Sequence, residues 1–207
     1  MKKFELLLDF GHGVPARTGG KHSPDMSLVE PVYCREVGNM LCNALDELGI
    51  KYRIIVPELE DISLGERCKR INTIVNNNKD TDFVLISIHN NAAPPNDNQW
   101  HSARGWSVWV YNGASEKSKI LANSLNDAAK EMNLKVRQPE PKQKYYTANF
   151  YILRNTKCPA VLTENFFQDN KEDVEWLLSD EGKASVVNIH VAGILKYLHH
   201  PYVIKTS

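Results

Sequence analysis

The chain has 207 residues, enough for one domain with a substantial core and too few for a second large one. Apolar residues make up 42% and charged residues 24%, which excludes a disordered chain. With 25 basic against 25 acidic side chains there is no overall charge to draw it to nucleic acid or an anionic membrane. The expectation is therefore a single domain over residues 1–207 whose selectivity comes from a local site.

Along the chain, Met1 to Asp9 has a basic start but places Glu5 inside its apolar stretch. It is too short for the apolar core of a secretion signal, and no run of about 18 apolar residues could span a bilayer. Leu6 to Asp9 reads as a buried strand ending at Gly11-His12-Gly13, so His12 is expected at a strand tip. From Pro31 to Leu48, Val32, Val37, Met40, Leu41, Ala44, Leu45 and Leu48 mark one helical face, closed by Gly49. Proline suits the first helical position, which puts Glu30 at the cap.

Tyr52 to Val56 reads as a second strand, and Ser63-Leu64-Gly65-Glu66 has the spacing that opens a helix running to Asn76-Asn77-Asn78. Phe83 to Ile88 is a third, fully buried strand that delivers His89. Trp106 to Tyr111 alternates as a strand does, and Ser115 to Met132 returns to helical periodicity through Ile120, Leu121, Leu125 and Ala128. Leu134 to Asn149, rich in Pro, Gln, Lys and Tyr, reads as a long loop, a class of segment that usually has a role. Ala160 to Thr163 is a short strand leading to Glu164, Asn170 caps a helix holding Val174, Leu177 and Leu178, and Val186 to Leu198 is the last helix.

This alternation predicts an α/β fold of three layers, a mostly parallel sheet between helices. Ligand sites in such sheets form beyond the carboxyl ends of the strands, where His12, His89 and Glu164 all fall. Two histidines with Glu30 would satisfy a catalytic zinc site, which takes about three protein ligands and leaves room for water. The plainer alternative stays open: such histidines are often merely satisfied by hydrogen bonds, and a carboxylate at a helix start can simply complement the helix dipole.

Resemblance narrows the choice. Leu8-Asp9-Phe10-Gly11-His12-Gly13, Glu30, Ser87-Ile88-His89-Asn90-Asn91-Ala92 and Pro159-Ala160-Val161-Leu162-Thr163-Glu164 resemble, in order and spacing, the successive motifs of the zinc-dependent N-acetylmuramoyl-L-alanine amidases of type 3. Between them, Leu64-Gly65-Glu66-Arg67 followed by Asn72 is similar to the L-x-x-R helix of that family, and Asn149 to Arg154 to the stretch before its final motif. The resemblance implies a six-stranded mixed sheet, one zinc ion held by His12, Glu30 and His89, and Glu164 as catalytic carboxylate. It implies cleavage of the amide joining N-acetylmuramic acid to L-alanine of the peptidoglycan stem peptide.

Asn91, Arg137 and Lys144 are assigned to substrate binding, the last two because Lys135, Arg137, Lys142 and Lys144 cluster with Tyr145 and Tyr146. Stem peptides carry carboxylates that such donors bind. Three stretches depart from the family, one of them the Thr-Arg common after the second strand, which is replaced here by Val56-Pro57-Glu58. Where relatives carry Glu-x-Gly-Phe this chain has Glu164-Asn165-Phe166-Phe167, which implies a backbone that tolerates a side chain, and Val14 to Met26, with Arg17, Lys21 and His22, has no clear counterpart. Of the other histidines, His22 alone is a candidate supporting group near the metal.

Cys34, Cys42, Cys68 and Cys158 show no C-x-x-C spacing and are expected as reduced thiols. A wall hydrolase without a leader of its own is expected to be a phage or prophage endolysin, or a mature chain whose leader has been removed. The competing readings are a zinc amidohydrolase or carboxypeptidase of similar fold acting on a small N-acyl amino acid, and a non-catalytic cell-wall binding module.

Overall fold

The computed structural model describes residues 2–13, 21–95 and 97–206. Residues 14–20, with most of the unassigned segment after His12 and its Arg17, lie outside the described residues. Six strands form one sheet: β1 (Lys3–Phe10), β2 (Tyr52–Ile54), β3 (Thr81–Asn91), β4 (Ser107–Tyr111), β5 (Tyr146–Ala148) and β6 (Ala160–Phe167), in the order β2-β1-β3-β6-β4-β5. β2, β1, β3 and β6 are parallel, β4 runs antiparallel to β6, and β5 is parallel to β4. This is the expected mixed sheet.

Seven helices complete the described chain: α1 (Glu30–Glu47), α2 (Leu64–Asn77), α3 (Glu116–Glu131), α4 (Tyr151–Asn155), α5 (Lys171–Leu177), α6 (Asp180–Leu198) and α7 (Pro201–Thr206). The two cores follow from the period of the strands, whose successive side chains point to opposite faces. Leu6, Leu8, Phe10, Val84, Ile86 and Val161 pack with α1, α3 and α6 on one face. Leu7, Leu85 and Leu162, one residue out of phase, pack with Cys68 and Ile71 of α2 and Ile152 and Leu153 of α4 on the other. All four cysteines are free thiols, as expected.

Several boundaries differ from the sequence expectations, each for a local reason. α1 begins at Glu30, with Val29 as its cap and Pro31 second in the helix. Proline needs no amide partner at either position, so the residue type could not fix which one it takes. β2 stops at Ile54 rather than Val56. α6 starts six residues before Val186, because the Ser179 hydroxyl accepts from the Gly182 amide and caps a polar first turn that carries no apolar period. The Leu134–Asn149 segment is not wholly loop: it contains β5, three residues on the sheet edge and too short to show alternation.

His89 and Glu164 lie inside β3 and β6 rather than just past them, because the two strands keep pairing, Leu85 with Ala160 through His89 with Glu164. The register then slips by one residue, so that Asn91 faces Phe167. Phe166, the extra residue of that bulge, has φ 63°. The backbone after Glu164 does carry a side chain here, as expected, but in a conformation that does not favour one. This is the left-handed region that favours glycine, and phenylalanine is held there by burial against the Trp176 ring, 4.6 Å between centroids.

Candidate functional site

The site forms where the carboxyl ends of β1 and β3 meet the start of α1. β1 ends at Phe10, and the chain turns through Gly11 and His12, the latter at φ 58°. A Cβ on Gly11 would lie 2.6 Å from Nδ1 of His89, so only glycine lets the His12 turn pass over that ring. The His12 and His89 rings then meet edge to face, 5.0 Å between centroids. Glu30 is brought beneath them by α1, its side chain 1% exposed.

Glu30 Oε1 lies 3.0 Å from His89 Nδ1 and 3.4 Å from His12 Nε2, and it accepts the Asn90 amide hydrogen at 3.2 Å. Burial raises the pKa of this carboxyl, but hydrogen bonds and charge from His12 and His89 outweigh it and hold the group well below the usual carboxylate range. The Glu30 negative charge is thereby retained in a buried place, helped by its position in the first turn of α1. His89 shows the reciprocal effect: burial lowers its pKa, and the hydrogen bond and charge of Glu30 raise it further, to a net upward shift.

One ligand atom from each of His12, Glu30 and His89 can be chosen so that all lie within 4.8 Å of one another. Ligand atoms about 2.0–2.1 Å from a tetrahedral zinc ion stand about 3.3 Å apart, close to the two distances above. Glu30 Oε2 is buried without a hydrogen-bond partner. An orphaned carboxylate oxygen beside two imidazoles is what a cation would satisfy, so the residues fit the metal that the resemblance implies.

Glu164 is the register partner of His89 on β6, so both side chains leave the same face of the sheet. Its Oε2 is also buried without a partner. Burial raises the Glu164 pKa to about 7; the neighbouring His89 and Lys21 pull it down and Glu30 pushes it up. A carboxyl poised near neutrality can both take and return a proton.

Of the three residues assigned to substrate, Asn91 and Arg137 both lie against Phe167, one as its register partner on β3 and one over its ring, while Lys144 faces α3. Asn91 ends β3, two residues beyond His89, its Oδ1 accepting from the Ala92 amide at 2.9 Å. Arg137 lies with its guanidinium 4.7 Å from the centroid of Phe167, three residues beyond Glu164. Lys144 turns instead to α3, where its ammonium meets both carboxylate oxygens of Asp127 at 2.6 and 2.7 Å. His22 bonds the adjacent Ser23 carbonyl at 2.8 Å, and its backbone pairs with Val29 just before Glu30.

Sequence reasoning missed the layer behind the site. Asp9, Ser87, Arg67 and Asn165 are all buried, and each lies in or beside a motif that had been quoted for its neighbours. Asn165 binds β6 to β3 and β4: its Nδ2 donates to the His89 carbonyl at 3.0 Å, its Oδ1 accepts from Trp106 Nε1 at 2.9 Å, and its carbonyl accepts from Asn90 Nδ2 at 2.6 Å. For Asp9 and Ser87 the signal available was a polar residue within an apolar run; Arg67, on a helix, and Asn165, after Thr163 and Glu164, carried no such mark.

Comparison with known proteins places this geometry. The chain is 29% identical over 197 residues to the N-acetylmuramoyl-L-alanine amidase CwlM of Bacillus licheniformis, covering 93% of this chain and 68% of the relative. It is 29% identical over 122 residues to the endolysin of Bacillus phage SPP1, 56% of this chain and only 40% of that protein. Among solved structures, an N-acetylmuramoyl-L-alanine amidase from Clostridium difficile 630 matches with a TM-score of 0.81 over 97% of this chain and 100% of that one; at 23% identity this establishes the shared fold. The family model described as N-acetylmuramoyl-L-alanine amidase matches residues 6–196, nearly the whole sequence, and the chain belongs to that family.

Proposed function

We propose that this protein hydrolyses the amide between N-acetylmuramic acid and L-alanine of the peptidoglycan stem peptide, with one zinc ion held by His12, Glu30 and His89. The observation that carries the reading is the convergence of those three donors, within 4.8 Å, beside the unpartnered buried carboxyl of Glu164. When bound, zinc would lower the pKa of a water to about 7 and polarise the scissile carbonyl. Glu164 takes the proton released by the attacking water and delivers it to the departing alanine nitrogen. His12 and His89 are fixed by the turn at Gly11 and by β3, so the ligand set is largely preorganised.

Asn91 and Arg137 are read as contacts to the stem peptide, from their places against Phe167. Lys144 is read as a third contact to the stem peptide, one that must share its ammonium with Asp127. The protein is read as acting at the cell wall, in keeping with the endolysin and cell-wall amidase names of its relatives, and as a monomer.

Purified sacculi test the reaction. Cleavage at this bond exposes new amino-terminal L-alanine and leaves the glycan strands uncut. Turnover of small N-acyl amino acids with no attack on sacculi would favour the amidohydrolase or carboxypeptidase reading, and binding to sacculi without any product would favour a wall-binding module.

A further inference from the structure

Behind the metal ligands a buried chain of polar groups connects α2 to His89. Asp9 on β1 and Ser87 on β3 are register partners, and both are fully buried. The Ser87 hydroxyl donates to Asp9 Oδ2 at 2.6 Å. Arg67, on α2, donates from Nη1 to Asp9 Oδ1 and to the Phe10 carbonyl, each at 2.8 Å, and from Nε to the Ile62 carbonyl at 2.8 Å. On the other side, His89 Nε2 lies 3.1 Å from Ser87 Oγ.

A serine hydroxyl has one proton. With that proton given to Asp9, Ser87 Oγ can only accept, so His89 Nε2 must be the nitrogen that carries hydrogen. Asp9 is the stronger claimant on the hydroxyl because its carboxyl is fixed between the Arg67 guanidinium, 2.8 Å from Oδ1, and Ser87, 2.6 Å from Oδ2, with the serine as the donor available to Oδ2. Reversing the hydroxyl would leave a buried carboxylate oxygen without a donor. In the neutral ring, the form that ligates a metal, Nδ1 is then the nitrogen with a free lone pair, and it is the one that faces Glu30 at 3.0 Å; the protonated ring donates to Glu30 from the same atom.

We infer that Arg67, Asp9 and Ser87 form a positioning relay that locks His89 in the tautomer presenting Nδ1 to the metal. This rests on the metal reading above. The relay works as do the carboxylates that support zinc-bound imidazoles elsewhere, here with a serine hydroxyl interposed between carboxylate and ring. It also explains why polar residues occupy Asp9 and Ser87 on strands whose other central residues are apolar, and why a fully formed arginine ion pair is buried under the site. Ser87 touches neither substrate nor metal in this scheme. Its part is to orient the ligand that does.

The test is metal affinity together with ring spectroscopy. In the zinc-loaded protein, nitrogen-15 correlation spectra of His89, assigned by comparison with His89→Ala, are expected to show Nε2 protonated and Nδ1 metal-shifted. Ser87→Ala is expected to weaken zinc binding by about 10- to 100-fold in chelator competition, with the metal-free variant still folded by circular dichroism. If that variant does not fold, Asp9→Asn keeps the shape of the acceptor and is expected to show the same loss. Zinc uptake with Nε2 metallated, or wild-type zinc affinity in a folded Ser87→Ala or Asp9→Asn variant, would overturn the relay while leaving the metal reading intact. A wild-type chain that takes up no zinc would overturn both.

Discussion

Phe166 sits in a conformation that costs a side-chain-bearing residue on the order of 1–2 kcal/mol, yet it is 4% exposed and packed on Trp176. Truncating a buried phenylalanine costs about 3–5 kcal/mol, so packing outweighs strain and the left-handed residue persists. Phe166→Gly should therefore destabilise, but by about 1 kcal/mol less than Phe166→Ala, which loses the ring and keeps the strain. Denaturant titration of the two variants checks the order, and Phe166→Ala as stable as Phe166→Gly would remove strain from the explanation. His190 gives a second residue-scale expectation. It is buried, with Nδ1 on the Val186 carbonyl at 2.7 Å and Nε2 against the Thr163 hydroxyl at 3.0 Å, and burial pushes its pKa down to about 4. Since the unfolded chain binds this proton near pH 6.5 and the folded chain does not, its contribution is complete above that pH and is lost as pH falls toward 4. The loss is at most about 3 kcal/mol. Glu164 and other groups titrate in the same window, so the quantity to read is the stability difference between wild type and His190→Gln at pH 7 and pH 4.5; an unchanged difference would contradict the assignment. At this scale the candidate ligands His12, Glu30 and His89, which the structure brings within 4.8 Å, were legible because their motifs are short and local. Asp9, Ser87 and Arg67 were not, because their meaning lies in contacts across 58 and 78 residues of sequence.

α3 and α6 pack so closely that a Cβ on Gly193 would lie 2.5 Å from Leu125 Cδ2 and 2.8 Å from the Leu125 backbone. Helix propensity favours Gly193→Ala by about 1 kcal/mol, whereas forcing an extra methyl into a tight contact costs about 1–3 kcal/mol. The substitution is expected to lower the thermal midpoint while leaving zinc content unchanged, and a rise in the midpoint would show that the helices can move apart freely. Long elements such as α1, α3 and β3 were legible from period and capping, since many residues repeat the same signal. β5, α4 and α7 were not, because three to six residues cannot establish a period, and their places are set by the edge strand and by helix packing instead.

Across the molecule, the sheet order decides where chemistry can occur. β1, β3 and β6 are adjacent and parallel, so one edge collects His12, His89 and Glu164, and α1 enters that edge with Glu30 at its start. The alternation of strands and helices made this layered arrangement legible in the sequence; that the sheet is mixed came only with the resemblance, and that β4 is the strand running against β6 left no local trace. The segment from Leu134 divides in the structure, with Arg137 near Phe167 and Lys144 drawn to Asp127. Arg137→Ala is accordingly expected to weaken cleavage of muropeptides with full stems by roughly tenfold or more, in line with a lost charge-assisted contact, and to spare a minimal muramoyl-L-alanine substrate. Equal losses on both substrates would assign Arg137 to holding the fold.

The central claim, that three side chains hold zinc while a fourth moves the proton, is tested most directly by elemental analysis of zinc in wild type, His89→Ala and Glu164→Gln. The expected result is one zinc ion per chain in wild type and in Glu164→Gln, none retained by His89→Ala, and sacculus cleavage by the loaded Glu164→Gln protein reduced about 10²- to 10⁴-fold. A wild-type protein without zinc, or a folded Glu164→Gln variant that has lost it, would contradict the division of roles.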